Sequence, residues 1–382
     1  MRSRVERFGA WVQLDPSTLV AIDRRRARSL GLDGGELWND DRESPHPFPI
    51  EVHVAVTARC PVECVGCYQD ATAEGAHVSL DQLRSTLDAL ASAGVFTVAL
   101  GGGEPLSRDD LAVIADEARA RGISCVLTTS GLGLREDRVA ELRGFSQVNV
   151  SHDGVDGGYL SLRGVNAAAV AERAITLLAR EGIRVGVNMV LSRQTFARVE
   201  ATAERARALG AVELQLLRYK PAGRAASIEY LSRRLTREQA LAVGPLVERL
   251  SRAHGEAMAV RVDCAMVPFL AAYVRDARAL ERWGIFGCEA GRHLAAVDRD
   301  GAVIGCSFAR DMHVGAPLDR WQSDAGLEEF RRFVAAPPEP CRSCEARAVC
   351  RGGCKVVSSH LSRAFEPDPE CPRVIAWREE AR

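Results

Sequence analysis

Ten of the twelve cysteines fall into two spaced groups, and this spacing limits what the chain can become more than any other feature. The first group is Cys60-Pro-Val-Glu-Cys64-Val-Gly-Cys67. The second runs Cys288, then Gly301-Ala-Val-Ile-Gly-Cys306, then Cys341-x2-Cys344-x5-Cys350-x3-Cys354, then Cys371. Thiolates bunched at such intervals bind metal, and their number predicts several iron–sulfur clusters. Disulfides are the competing use of cysteine, and they belong to exported proteins. The start, Met-Arg-Ser-Arg-Val-Glu-Arg-Phe-Gly-Ala, carries charges with no apolar run behind it. A reduced, cytoplasmic, metal-binding protein is the expectation.

A chain of 382 residues can bury two or three domains. Its 47% hydrophobic and 26% charged residues are those of a soluble globular protein. No apolar stretch approaches the roughly 20 residues of a membrane span. A net charge of −1 gives no electrostatic case for nucleic acid or an anionic membrane. Only Lys220 and Lys355 are lysine among 50 basic residues, which reads as coding bias rather than an arginine-rich binding surface.

Residues 1–50 read as an N-terminal extension with short strands at Trp11-Val-Gln-Leu and Leu19-Val-Ala-Ile. It ends in a polar, Pro-rich linker from Asn39 to Pro49. From 51 to 256, short apolar runs alternate with helical patterns. Strands are expected at 51–57, 95–100, 123–128, 147–151, 184–190 and 212–217. Helices are expected at 79–93, 108–121, 135–143, 166–181, 195–209 and 236–254. Six βα units in a row demand a parallel sheet with crossover helices, in an α/β fold. An open doubly wound sheet and a partial (β/α)6 TIM-like barrel both satisfy this, and both put ligands at the carboxyl ends of the strands. Residues 257–287 read as a bridging segment with helix between Val267 and Trp283, residues 288–375 as a small module, and 376–382 as a tail. The module is rich in cysteine, glycine and turns, so metal binding is expected to supply part of its stability.

Cys60, Cys64 and Cys67 follow the first strand, hence sit at the active end of the sheet. Three thiolates on one loop can hold three irons of a [4Fe–4S] cube and leave the fourth open to a ligand. A zinc loop and three unconnected core thiols are the alternatives. Gly101-Gly102-Gly103-Glu104-Pro105 follows the second strand, where glycines allow close backbone approach and a glutamate accepts charge-assisted hydrogen bonds. Thr128-Thr-Ser130-Gly131 ends the third strand and Ser151-His-Asp153-Gly154 the fourth. Asn188 ends the fifth, and Leu216, Leu217 and Tyr219 the sixth. Lys220 beside them is expected to be solvated. Cys125, inside the third strand, is expected in the core.

Cys-x3-Cys-x2-Cys after the first strand of six βα units resembles the radical S-adenosylmethionine enzyme superfamily. The resemblance implies a [4Fe–4S] cluster on Cys60, Cys64 and Cys67 whose open iron chelates S-adenosylmethionine. Reduction then yields methionine and a 5′-deoxyadenosyl radical. It further implies cofactor contacts from Tyr68, Gly102, Gly103, Glu104, Ser130, Ser151, Arg163, Asn188 and Leu217. Glu104 and the glycine backbone would receive the methionine ammonium, Arg163 the carboxylate and Ser151 the ribose. In one detail the chain departs from the family. Many members place an aromatic residue just before the third cysteine; here Gly66 stands there and Tyr68 follows.

The second cysteine group is similar, in order and spacing, to the seven-cysteine SPASM pattern, down to Arg351-Gly-Gly353 before Cys354. That resemblance implies two auxiliary iron–sulfur clusters with interleaved ligands. One would use Cys341, Cys344, Cys350 and Cys371. The other would use Cys288, Cys306 and Cys354 with a fourth group. Cys264 is the candidate for that place; otherwise it is a buried thiol and the place is open or filled by another group.

SPASM enzymes mostly oxidise or cross-link peptides. The resemblance therefore implies a maturase of the peptide-modifying branch, acting on a ribosomally made precursor peptide and fed by a flavodoxin or ferredoxin-type electron donor. Sulfatase maturation is disfavoured: such maturases resemble one another in an aspartate base right after the Gly-x4-Cys cysteine, where this chain has Ser307. A radical enzyme acting on a small molecule, such as a tetrapyrrole, would share every motif. A non-enzymatic iron–sulfur or zinc protein would share the C-terminal cysteines but not the Cys60 loop with its Gly-Gly-Glu partner. Residues 1–50 are short for a leader-recognition domain, so a structural cap is expected of them.

Overall fold

A computed structural model describes residues 2–39 and 48–381. Most of the expected linker from Asn39 to Pro49 lies outside the described residues. The chain begins with a small antiparallel sheet of β1 (Arg2–Glu6), β2 (Gly9–Asp15) and β3 (Thr18–Asp23). Two of these strands are the expected ones, and β1 is additional. Six parallel strands follow: β4 (Glu51–Thr57), β5 (Thr97–Gly102), β6 (Ser124–Thr129), β7 (Gln147–Ser151), β8 (Val185–Leu191) and β9 (Glu213–Arg218). Each lies within two residues of its expected start. Side chains cap the first and last of the barrel helices: Ser79 accepts from Gln82 N–H before Leu80–Ser92, and Thr236 and Gln239 form a capping box before Arg237–His254.

The order β4 to β9 across the sheet is sequential. Each strand is laid beside the last without reversal, so there is no switch point and the fold is the partial barrel, not the doubly wound sheet. Alternate residues face opposite sides. Val52, Val54 and Val56 of β4 are buried toward the helices, whereas Glu51, His53 and Ala55 face the lumen.

The structure departs further from the expected elements. Residues Glu136–Gly144 form a 3-10 helix instead of an α-helix. There Arg138 turns inward and donates to Leu106 O and Arg108 O at 3.2 and 2.8 Å, a need that an apolar helical stripe does not express. The bridging segment adds a strand, β10 (Ala259–Val262), parallel to β9. Four half-exposed residues are too few to show a period. Finally, β11 (Leu294–Val297) pairs in parallel with β4, and β12 (Val303–Ile304) closes against it. The C-terminal module is thus joined to the barrel by backbone hydrogen bonds. It also has more apolar core than its composition suggests: Trp321, Leu327, Phe330 and Phe333 are buried around the helix Ala325–Ala335, which Asp324 caps.

The β1–β3 sheet caps the amino-terminal end of the barrel, opposite the Cys60 loop. Gln13 donates to Ser124 Oγ at 2.8 Å, Ser124 Oγ donates to Pro16 O at 2.6 Å, and Arg2 donates to Val95 O at 2.7 Å. Among the described residues no helix is long and apolar enough to cross a membrane.

Candidate active site

The Cys60 loop is fixed through its carbonyl groups. Cys60 N–H donates to Thr72 O at 2.7 Å at the root. Arg224 donates to Cys64 O at 3.0 Å and to Ala71 O at 3.1 Å, and Arg310 to Tyr68 O at 3.0 Å. These arginines carry no motif, and sequence reasoning missed them. With the carbonyls so bound, the three thiols line a cavity of about 1830 Å³ that runs through the barrel. Burial raises the Cys60 and Cys64 thiols above their ordinary range, so their thiolates need a positive centre. Arg163 Nη1 lies 3.8 Å from Cys64 Sγ.

All nine positions expected to touch the cofactor line this cavity. The glycines are required by closeness. A Cβ on Gly103 would meet Arg59 O at 2.1 Å, and one on Gly102, where φ is +109°, would meet Thr57 O at 2.4 Å. Glu104 is more committed than expected. Its carboxylate accepts from Leu106 N–H (3.0 Å), Thr129 Oγ1 (2.6 Å), Ser130 N–H (2.7 Å) and Ser130 Oγ (2.5 Å). These fill its four acceptor directions, so an ammonium would have to share an oxygen. Arg163 is held through Nε by buried Asp153, whose other oxygen accepts from Val190 N–H at 2.7 Å. Ser151 and Leu217 face the cavity, and Asn188 Oδ1 is buried in its wall without a hydrogen-bond partner. A buried acceptor left unpaired costs about 1–3 kcal/mol, which a bound hydroxyl or N–H would relieve.

The missing aromatic residue at Gly66 is supplied from elsewhere. Tyr219, past the end of β9, lays its ring over the glycine: a Cβ at 66 would lie 3.1 Å from Tyr219 Oη. Tyr219 in turn stacks on Tyr230, with centroids 5.8 Å apart. Tyr68 stacks on Phe308 at 4.2 Å. Lys220 is not solvated as expected. It is 8% exposed, bonded to Asp263 and 4.0 Å above the Phe308 ring. The buried carboxylate compensates the desolvation and keeps the ammonium charged.

The later cysteines gather as two sets of four. Cys264, Cys288, Cys306 and Cys354 line the same cavity as the first loop. Cys264 therefore stands in the same wall as Cys288. Cys341, Cys344, Cys350 and Cys371 surround a second space of about 290 Å³. Burial pushes Cys306 and Cys341 up to about 12 and Cys371 to about 11. No disulfide joins any of the twelve cysteines. Among the described residues no three Cys, His, Asp or Glu side chains converge as one metal ion requires. The thiols ring a space instead, which suits a multi-iron cluster. Cys125 is buried in the core, as expected.

His53 is a further residue that sequence reasoning missed. Its Nδ1 lies 3.2 Å from Ser307 Oγ and its Nε2 3.2 Å from Glu51 Oε1, in the lumen wall. Its only sequence signal was the polar alternation of β4.

Residues 54–206 match the Radical SAM superfamily. The chain is 30% identical to the pre-heme d1 synthase of Dinoroseobacter shibae, over 85% of this chain and 86% of that protein. It is 28% identical to the mycofactocin maturase MftC of Mycobacterium tuberculosis, over 85% and 83%. Its fold is similar to that of Streptococcus suis SuiB, solved with S-adenosylmethionine and with its precursor peptide SuiA. The TM-scores are 0.75 and 0.73, at 16% identity, over 97% of this chain and 98% of that one. The 30% identity to the pre-heme d1 synthase over 85% of this chain, together with the match over residues 54–206, places this chain in the radical SAM superfamily.

Proposed function

We propose that the chain is a radical SAM maturase that abstracts hydrogen from a ribosomally made precursor peptide and oxidises or cross-links it. The observation that carries this is the single cavity that joins the three-cysteine loop to a set of four cysteines. When bound, a [4Fe–4S] cluster and S-adenosylmethionine supply a 5′-deoxyadenosyl radical there. Cys60, Cys64 and Cys67 would hold the cluster. Arg163 would face the cofactor carboxylate, the Gly102–Gly103 backbone its ammonium, and Asn188 and Ser151 its ribose or base. Cys264, Cys288, Cys306 and Cys354 would hold one auxiliary iron–sulfur cluster, with Cys264 as the fourth ligand, and Cys341, Cys344, Cys350 and Cys371 the other. The base that takes the substrate's proton is His53, reached through Ser307 and oriented by Glu51. A flavodoxin or ferredoxin-type protein would deliver the electron. The pre-heme d1 synthase relative favours a second reading, a small-molecule substrate of tetrapyrrole type.

The test is anaerobic reconstitution, reduction and incubation with S-adenosylmethionine, then with the short peptide encoded nearest this chain's gene. Wild type is expected to release 5′-deoxyadenosine and to change the peptide's mass, and Cys60→Ala to do neither. A colourless zinc protein that leaves S-adenosylmethionine intact would sink the enzyme reading. Cleavage with no change in the peptide would favour the small-molecule reading.

A further inference from the structure

Fifty residues carry a basic side chain and only Lys220 and Lys355 are lysine. Coding bias accounts for the arginines. It does not account for where the two lysines stand. Both are buried, at 8% and 1% exposure, and both line the cavity of the Cys264 set, while Lys355 Nζ also lies beside Gly352, which lines the space of the Cys341 set. Lys355 directly follows Cys354, and its Nζ donates to Arg351 O and Gly353 O, both at 2.9 Å. Those carbonyls belong to the residue after Cys350 and the residue before Cys354. The ammonium also lies 3.8 Å above the Phe333 ring. Lys220 is bonded to Asp263, next to Cys264, and lies over Phe308, two residues past Cys306.

An ammonium is a compact point charge with three donors, whereas a guanidinium brings five donors in a planar fork. At Lys355 two carbonyls and an aromatic face receive the ammonium. At Lys220 one carboxylate oxygen and one ring do so. The Lys355 pocket offers no acceptors for a five-donor group. Each therefore holds a single fixed positive charge among the cysteines, Lys220 acting through space on Cys264 and Cys354 and Lys355 on Cys341 and Cys350, in surroundings where a Coulomb interaction is less screened than at the surface. A cluster gains negative charge on reduction, and its potential follows net charge and neighbouring hydrogen bonds. The two positions also differ. No carboxylate bonds Lys355, whereas Lys220 is offset by Asp263, whose Oδ1 has no hydrogen-bond partner.

We propose that Lys220 and Lys355 are separate electrostatic controls on the two auxiliary sites. Lys220 favours the reduced state at Cys264, Cys288, Cys306 and Cys354, and Lys355 favours it at Cys341, Cys344, Cys350 and Cys371. This rests on the reading that both sets hold iron–sulfur clusters. The midpoint of each site is then adjustable without touching a ligand.

The experiment is a redox titration of the reconstituted holoprotein followed by electron paramagnetic resonance, with signals assigned through Cys288→Ala and Cys344→Ala. Lys355→Gln keeps a donor for the carbonyls, on a side chain one atom shorter, and removes the charge. It is expected to lower the midpoint of the Cys341 set by about tenfold in the reduction equilibrium, or 59 mV for one electron, and that of the other set by less. Lys220→Met is expected to lower the Cys264 set by at least as much, because Asp263 is left uncompensated. The double variant Lys220→Met/Asp263→Asn, which removes both charges, is expected to return most of the shift and guards against a fold-deficient single variant. Unchanged midpoints in variants with full iron and sulfide would overturn the proposal, leaving the lysines as carbonyl and carboxylate partners only. A wild-type protein holding zinc would overturn it together with the cluster reading, and metal analysis tells that failure apart.

Discussion

Arg218 at the end of β9 and Asp368, 150 residues later, form a buried bidentate ion pair with contacts of 2.6 and 3.0 Å. Asp368 also accepts from Cys354 N–H at 3.0 Å, and Arg218 reaches Glu370 at 2.6 Å, beside Cys371. One pair thus joins the barrel's sixth strand to segments that carry cysteines of both auxiliary sets. Removing one partner of such a pair leaves an uncompensated buried charge, which costs about 3–5 kcal/mol. Arg218→Met is expected to lose that much stability in denaturant melts and to bind less iron after reconstitution. Arg237→Met, which breaks an exposed pair with Glu379, is the control and is expected to leave the melt nearly unchanged. Equal losses in the two variants would count against Arg218 as a tie.

The Gly66–Tyr219 contact gives a compensation test. Gly66→Phe puts a ring where Tyr219 already lies, and overpacking of this kind costs about 1–3 kcal/mol. S-adenosylmethionine cleavage is expected to fall by about tenfold. Gly66→Phe/Tyr219→Gly moves the aromatic residue back onto the loop and is expected to recover most of the rate. No recovery would mean that Tyr219 does more at this place than fill it.

How much of this was open to sequence reading follows from the range of each signal. The βα units were legible because each rests on local periodicity, and the cysteine sets because ligand spacing is local too. Tyr219 over Gly66, and Arg224 and Arg310 on the Cys60 loop, are contacts between distant segments with no spacing to read. Lys220 was misjudged for the same reason. Its partner Asp263 lies in the bridging segment, and only the pairing of β10 with β9 brings the two together. Strand β10 was itself missed because four residues carry too little pattern.

His293 gives the structure an acid-sensitive joint. It lies under the N-terminal sheet, with Trp11 edge-on to its ring at 5.7 Å, and its carbonyl accepts from Ile50 and Glu51 N–H. Burial first, and the neighbouring Arg292 next, lower it from the ordinary 6.5 to about 4, against the opposing pull of Glu289, whose Oε2 lies 3.1 Å from Nδ1. Between those values the unfolded chain takes up a proton that the native state refuses. Stability present above pH 6.5 is therefore lost as pH falls toward 4, by at most about 3 kcal/mol. Thermal melts of wild type across pH 4 to 7 are expected to show this slope, and His293→Gln to flatten it. A variant with the wild-type slope would place the acid sensitivity elsewhere.

The Ser307–His53–Glu51 chain makes the last prediction. With Glu51 ionised, Nε2–H of His53 donates to it and Nδ1 is left to accept from Ser307. A proton arriving at Ser307 Oγ from substrate can then pass the hydroxyl's own proton to Nδ1, and Glu51 stabilises the imidazolium that forms. A positioned base of this kind contributes about 10²–10⁴-fold. Peptide product formed per 5′-deoxyadenosine is accordingly expected to fall by about a hundredfold in His53→Gln. Ser307→Ala is expected to show the same loss and Ser307→Thr, which keeps the hydroxyl, to show little. Added imidazole is expected to restore product in His53→Ala, where a space is opened, and not in His53→Gln, where the amide fills it. Full product yield in Ser307→Ala and His53→Gln would show that the proton leaves the substrate by another route.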